Sequence, residues 1–215
     1  MFKKLSACVL ALAVVAGVSA PVQAQDVIGV YFDDAVDGLQ RFGTTDAGPW
    51  DIVVQTTLVN SSSASEFVVT EILLDVPSMF KTGTAKIFNT PLDLGDNDAG
   101  EYILAYGPVC AAPGLVELVR ISYVDFGAAM PLDYIVQLRG LQPGDSQPSS
   151  FQGDMGYVDC ADTKYVLAGE PFPADIGIDP TKGPNAVASG DGVCVLNADT
   201  TPNEAVSVTS LKARF

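Results

Sequence analysis

The sequence predicts an all-β protein, an antiparallel β-sandwich or jelly roll of about nine to ten strands. Two observations lead there. Short apolar runs, several alternating with period two, recur along the chain between clusters of turn residues. No helical periodicity persists, and no segment repeats, so an α/β fold is not supported.

The clearest pattern is Trp50-Asp-Ile-Val-Val-Gln-Thr-Thr-Leu-Val59. Trp50, Ile52, Val54, Thr56 and Leu58 share one parity, and side chains alternate across a strand. Glu66 to Val76 repeats the pattern, with Val68, Thr70, Ile72, Leu74 and Val76 in register. The short polar link 60–65 predicts a hairpin between the two. Val27–Phe32 reads as a first strand, and Pro77 ends the Glu66–Val76 run because proline cannot donate to a ladder. Thr84–Phe88 reads as a short strand and Glu101–Tyr106 as another. Leu115–Phe126 is apolar in both parities, which predicts a central strand covered on both faces. Tyr134–Leu138 is expected to pair with it, and Tyr157–Cys160 with Lys164–Ala168. Val193–Leu196 is strand-like, and 205–215 reads as an edge strand or a tail.

The first 24 residues read as an export signal. Lys3 and Lys4 precede an apolar stretch, and Val22-Gln-Ala24 offers a small-x-small cleavage pattern before Gln25. That stretch is too short to favour a membrane span. Leu5-Ser-Ala-Cys8 has the look of a lipoprotein box, yet it precedes the apolar segment that a lipobox should follow. The expected organisation is a signal peptide at 1–24, a sandwich domain at 25–168 and a Pro/Gly/Asp-rich segment at 169–215 packed on the same domain. Removing Lys3 and Lys4 with the leader takes the formal net charge from −15 to −17. Such a balance opposes nucleic acid and anionic membranes. The expected location is periplasmic, cell-surface or extracellular.

Histidine is absent. That excludes hydrolases of the usual Ser-His or Cys-His type and histidine-bearing zinc sites. Cys110, Cys160 and Cys194 survive processing, and an oxidising compartment permits one disulfide. Cys110–Cys160 is the first choice of pairing, with Cys160–Cys194 as the alternative. Asp96-Asn-Asp-Ala-Gly100, flanked by Asp93 and Glu101, begins like a calcium loop, with oxygen ligands at alternate positions and a glycine for the turn. Asp93, Asp96, Asp98 and Glu101 are therefore the candidate metal ligands, although an Asx-rich turn explains the same residues. Ca2+ is the one cofactor considered. Asp33, Asp34 and Asp37 form a second acidic group, and Asp175, Asp179 and Asp191 a third. Two carboxylates could in principle hydrolyse a glycosidic bond, but nothing selects two from 26 acidic residues. Trp50 and Tyr102, Tyr106, Tyr123, Tyr134 and Tyr157 lie in strands and read as core. The terminal Phe215 is a feature of outer-membrane barrels, but 14 prolines and irregular strand lengths fit that fold poorly.

Asp26–Asp33, the Ile52–Val59 strand with its Asn60-Ser-Ser link, Ile121–Gly127, Tyr157–Cys160 and the ending Val208–Phe215 together resemble a set of uncharacterised secreted proteins from environmental bacteria. The resemblance implies a cohesin-like or immunoglobulin-like sandwich with no known catalytic residues. The expected function is a non-enzymatic interaction or structural module with a protein or glycan partner. A glycan- or calcium-binding module is the alternative, and a carboxylate hydrolase or a small membrane barrel stand behind it.

Overall fold

The computed structural model describes residues 25–33, 38–43, 45, 49–60, 69–74, 81–88, 91–105, 114–124, 132–174, 178–182, 187 and 190–197; for 69–74 only the backbone is described. Twelve strands lie among them: β1 Val27–Asp33, β2 Phe42–Gly43, β3 Pro49–Thr57, β4 Val69–Leu74, β5 Lys81–Lys86, β6 Leu92–Asp93, β7 Glu101–Ala105, β8 Leu115–Val124, β9 Tyr134–Arg139, β10 Met155–Val158, β11 Lys164–Gly169 and β12 Val193–Leu196. Two of them, β2 and β6, are two-residue ladders, which leaves ten of ordinary length and agrees with the expected number. The expected leader at 1–24 and the ending 205–215 fall outside the described residues.

One layer is the antiparallel sheet β1-β3-β8-β5. The other is built on β4, which pairs with β7 along one edge and with β10 and β9 in turn along the other. β6 extends the β7 edge, β11 the β10 edge, and β12 and β2 the β9 edge. A short parallel contact, Val27↔Ala168 and Ile28↔Gly169, joins the layers at the start of β1. The main core lies between them, with Ile28, Val30, Ile52, Val54, Leu118 and Ile121 facing Leu104, Tyr157, Val136 and Leu196. The strand path is open, running from β2 to β5, and its interior is filled with side chains, so the chain is a sandwich and not a barrel.

The expected hairpin between the Trp50 and Glu66 runs is not formed. β3 lies between β1 and β8, whereas β4 sits in the opposite layer. The parity reading itself holds for β3: Trp50, Ile52, Val54, Thr56 and Leu58 are all buried. Tyr134–Leu138 likewise pairs with β12 and β4 and not with β8. The strand expected at Thr84–Phe88 begins three residues earlier, because Lys81 already pairs with Tyr123.

β8 explains its own two-parity pattern. Val54 pairs with Val119 but Gln55 pairs with Glu117, so Leu118 is an extra residue in the ladder. Such a bulge reverses the side-chain alternation. Val116 and Leu118 face the core before it, and Val119, Ile121 and Tyr123 after it. One face is buried, with the outer residues Glu117, Arg120 and Ser122 partly solvated. Coverage on both sides was the wrong expectation.

Candidate functional site

Turn composition at 93–101 produces a tight Asx turn, and its carboxylates point in different directions. Asp96 Oδ1 accepts the N–H of Asp98 at 3.0 Å and of Ala99 at 3.3 Å, and Gly100 takes a positive φ of 79°. Asp93 Oδ1 accepts the N–H of Gly95 and Ile103, at 3.0 and 3.2 Å. Its other oxygen is buried and faces Lys86 Nζ at 3.4 Å, with no hydrogen bond. Lys81 Nζ donates to the Asn97 carbonyl at 2.5 Å. Glu101 is almost fully buried on the far side, where it accepts the Ser146 N–H at 2.9 Å and the Ser146 hydroxyl. Asp98 is exposed.

The four candidate ligands therefore do not converge. Two lysines from β5 occupy the inner side of the turn, where a cation would compete with them, and Ser146 holds Glu101 elsewhere. Among the described residues no three His, Cys, Asp or Glu side chains are grouped to hold a metal. The Asx-turn reading accounts for the local bonds of Asp93 to Gly95 and of Asp96 to Asp98 and Ala99.

The other acidic groups are also engaged. Asp33 and Asp51, adjacent across β1 and β3, both accept from Arg120 Nη1, at 2.7 and 2.8 Å, and Glu117 takes the same guanidinium through two bonds. Three carboxylates hold the Arg120 charge well above its ordinary pKa, Glu117 most strongly. Asp34, Asp37 and Asp175 lie outside the described residues. Asp179 pairs with Lys182 at 2.8 Å, which lowers its pKa to about 2 with help from Thr181. Asp191 bridges to Pro171.

Sequence reading missed Arg41. Its guanidinium is buried and donates to the carbonyls of Glu170, Pro171 and Val193, with the Tyr31 and Phe172 rings each 5.6 Å away. Glu170 also receives the Tyr31 hydroxyl, in a space that Gly29 leaves clear. This cluster fastens Glu170, Pro171 and Phe172, with the start of β12, to β1 and β2.

Cys160 is disulfide-bonded, while Cys194 is a free, fully buried thiol. The alternative pairing Cys160–Cys194 is thereby overturned. Cys110 lies outside the described residues. Burial pushes the Cys194 pKa to about 12, so it is inert as a nucleophile. Trp50 stacks on Tyr123 at 4.5 Å within the core and is no sugar platform.

One end of the sandwich is different in character. Leu115 pairs with Thr57, which sets the start of β8 beside the end of β3 and Val59. Ile87 donates its N–H to Leu118, and the Lys86–Asp93 ion pair holds the start of β6 beside the end of β5. Val59, Ile87, Leu92 and Leu115 are 41, 45, 64 and 57 % exposed there. No signal in the sequence collects these four, because the registers of two ladders and one ion pair do so.

No helix among the described residues is long and apolar enough to cross a membrane. No family model and no curated protein sequence matches this chain. Among solved structures it is similar to a cohesin module from the Clostridium perfringens ATCC13124 family 33 glycoside hydrolase, at 7% identity and a TM-score of 0.42, over 66% of this chain and 91% of that one.

Proposed function

We propose that this protein is an exported, non-enzymatic β-sandwich that docks onto a partner at the cell surface or outside the cell. The observation that carries the reading is four exposed apolar residues, Val59, Ile87, Leu92 and Leu115, at the end of the sandwich where β3 and β5 finish and β6 and β8 begin. Large apolar side chains left exposed at one end of a sandwich suit contact with a partner, and net charge −15 keeps the unbound protein dispersed. The committed carboxylates of Asp93, Glu101, Asp33 and Asp51 and the buried Cys194 thiol agree with a role that uses surface and not chemistry.

The leader supports export, and the strand layout supports Cys110–Cys160 as the bridge. β7 and β10 flank β4 and are both antiparallel to it, so they leave the sheet at the same end. Cys110 follows Ala105 there, and Cys160 follows Val158. Strands on either side of one neighbour lie about 10 Å apart, which short extensions can close.

The test expresses the full precursor with a photo-crosslinking residue at Leu92, Leu115 or, for comparison, the exposed Val166. Adducts are expected from the first two positions and not the third. Equal adducts from all three, or none from any, would overturn the docking reading. Mass spectrometry of the same material is expected to find Gln25 at the N-terminus and Cys110 joined to Cys160.

A further inference from the structure

We infer that the loop 141–153 is a binding site for a neutral saccharide. The loop leaves β9 at Arg139 and returns to β10 at Met155, and its neck is closed by backbone. A Cβ on Gly140 would strike the Gly153 and Asp154 main chain, so the two limbs touch at a residue that must lack one. Gln142 Nε2 bridges the limbs, donating to Gly140 O at 3.2 Å and Gly153 O at 3.0 Å. Arg139 grips Asp145 with two bonds at 2.8 and 3.2 Å, and that carboxylate also accepts the Gln142 N–H at 2.6 Å. Glu101 anchors Ser146 from below, and Leu141, fully buried, packs with Ile103. A loop held at this many points loses little conformational freedom when it binds.

Inside the loop is a cavity of about 550 Å³ lined by loop residues that include Pro143, Gln147, Pro148 and Gln152. That volume lies within the range of small-molecule sites. The one charged residue in its lining, Asp145, is paired with Arg139, and the Glu101 carboxylate beneath is held by the two Ser146 donors. A cation thus finds no unpaired carboxylate in the lining, and an anion meets the field of a chain carrying −15. Gln147 and Gln152 remain, exposed and with no side-chain hydrogen bond to the described residues. Each amide donates and accepts, which matches a hydroxyl that does both, and the two proline rings offer rigid apolar faces to sugar C–H groups. Gln152 also sits at φ 57°, followed by Gly153 at φ 103°. A left-handed glutamine is held at a cost that a glycine would not carry.

The test uses the whole mature protein and calorimetric titration with neutral di- and trisaccharides, with uronic-acid and amino-sugar oligomers as separate arms. Binding is expected in the neutral arm alone. Gln147→Ala should weaken it roughly tenfold with an unchanged urea midpoint. Gln152→Gly should weaken it similarly while leaving the midpoint equal or higher, because glycine relieves the backbone. No binding in the millimolar range, a preference for a charged arm, or affinity indifferent to both substitutions would each overturn the site. Crosslinking at Leu92 and Leu115 does not depend on this loop, so the two readings fail separately.

Discussion

Asp26, beside the first described residue, is almost wholly buried, yet its carboxylate has three donors. Oδ1 accepts the N–H of Val59 at 2.5 Å and of Asn60 at 2.9 Å, and Oδ2 the hydroxyl of Tyr157 at 2.8 Å. One side chain thereby ties the start of β1, the end of β3 and β10, from both layers. Nothing in the sequence marks it, since its partners are 33 and 131 residues away. Removing it leaves the buried Tyr157 hydroxyl and two partly buried N–H groups unpaired, a penalty larger than the net worth of the bonds themselves. Asp26→Ala is therefore expected to cost about 2–4 kcal/mol in urea unfolding, against about 1 kcal/mol for Tyr157→Phe. A loss below about 1 kcal/mol for the first would show that the carboxylate is not the tie it looks to be. Trp50 makes the opposite point about legibility. Its parity on β3 was enough to place it in the core, because burial on one face is a local property.

At the scale of elements, the β10–β11 hairpin is the one pairing that local pattern read correctly, with Tyr157 opposite Tyr165. Its turn depends on Asp159, whose Oδ1 accepts the N–H of Thr163 at 2.9 Å and of Ala161 at 2.8 Å, while Asp162 takes a positive φ of 58°. The Thr163 N–H first, and then that of Ala161, hold the Asp159 carboxyl below its ordinary pKa. A depressed folded-state pKa adds stability above the unfolded value, near 4 for aspartate. That contribution is lost as the pH falls through the folded value. The wild type should therefore lose melting temperature more steeply than Asp159→Asn as the pH falls below about 4, because the variant keeps an acceptor but no charge. Parallel curves would remove Asp159 from the acid response. The β3–β4 and β8–β9 pairings were misread for a common reason. Parity tells which face of a strand is buried, but not which strand lies beside it. In β8 even the parity misled, because a bulge at Leu118 and a strand covered on both sides leave the same sequence pattern.

For the molecule as a whole, the question is whether its acidity is a general field or a specific cation site. Asp, Asn and Gly at 93–101 satisfy the requirements of an Asx turn and the first half of a calcium loop equally well, so the sequence could not decide. What distinguishes them comes from elsewhere in the chain: Lys81 and Lys86 on β5, and Ser146 between β9 and β10. The two lysines close the side of the sandwich where β5 and β6 meet, and calcium would have to displace an ammonium to reach Asp93. A ligand that binds only the native state must raise its melting temperature. With millimolar calcium against chelator at matched ionic strength, the expected shift is below about 1 °C. Screening of the general field should act alike for magnesium and sodium of equal ionic strength. A rise of several degrees specific to calcium, abolished by Asp96→Ala, would overturn that expectation and restore the turn as a metal site. The same titration on Lys86→Ala separates the two explanations further. If the ammonium is what keeps calcium out, its removal leaves Asp93 Oδ2 buried without a counter-charge, lowering the melting temperature in chelator and making calcium partly restorative. If the carboxylates are simply too dispersed, the loss persists in calcium.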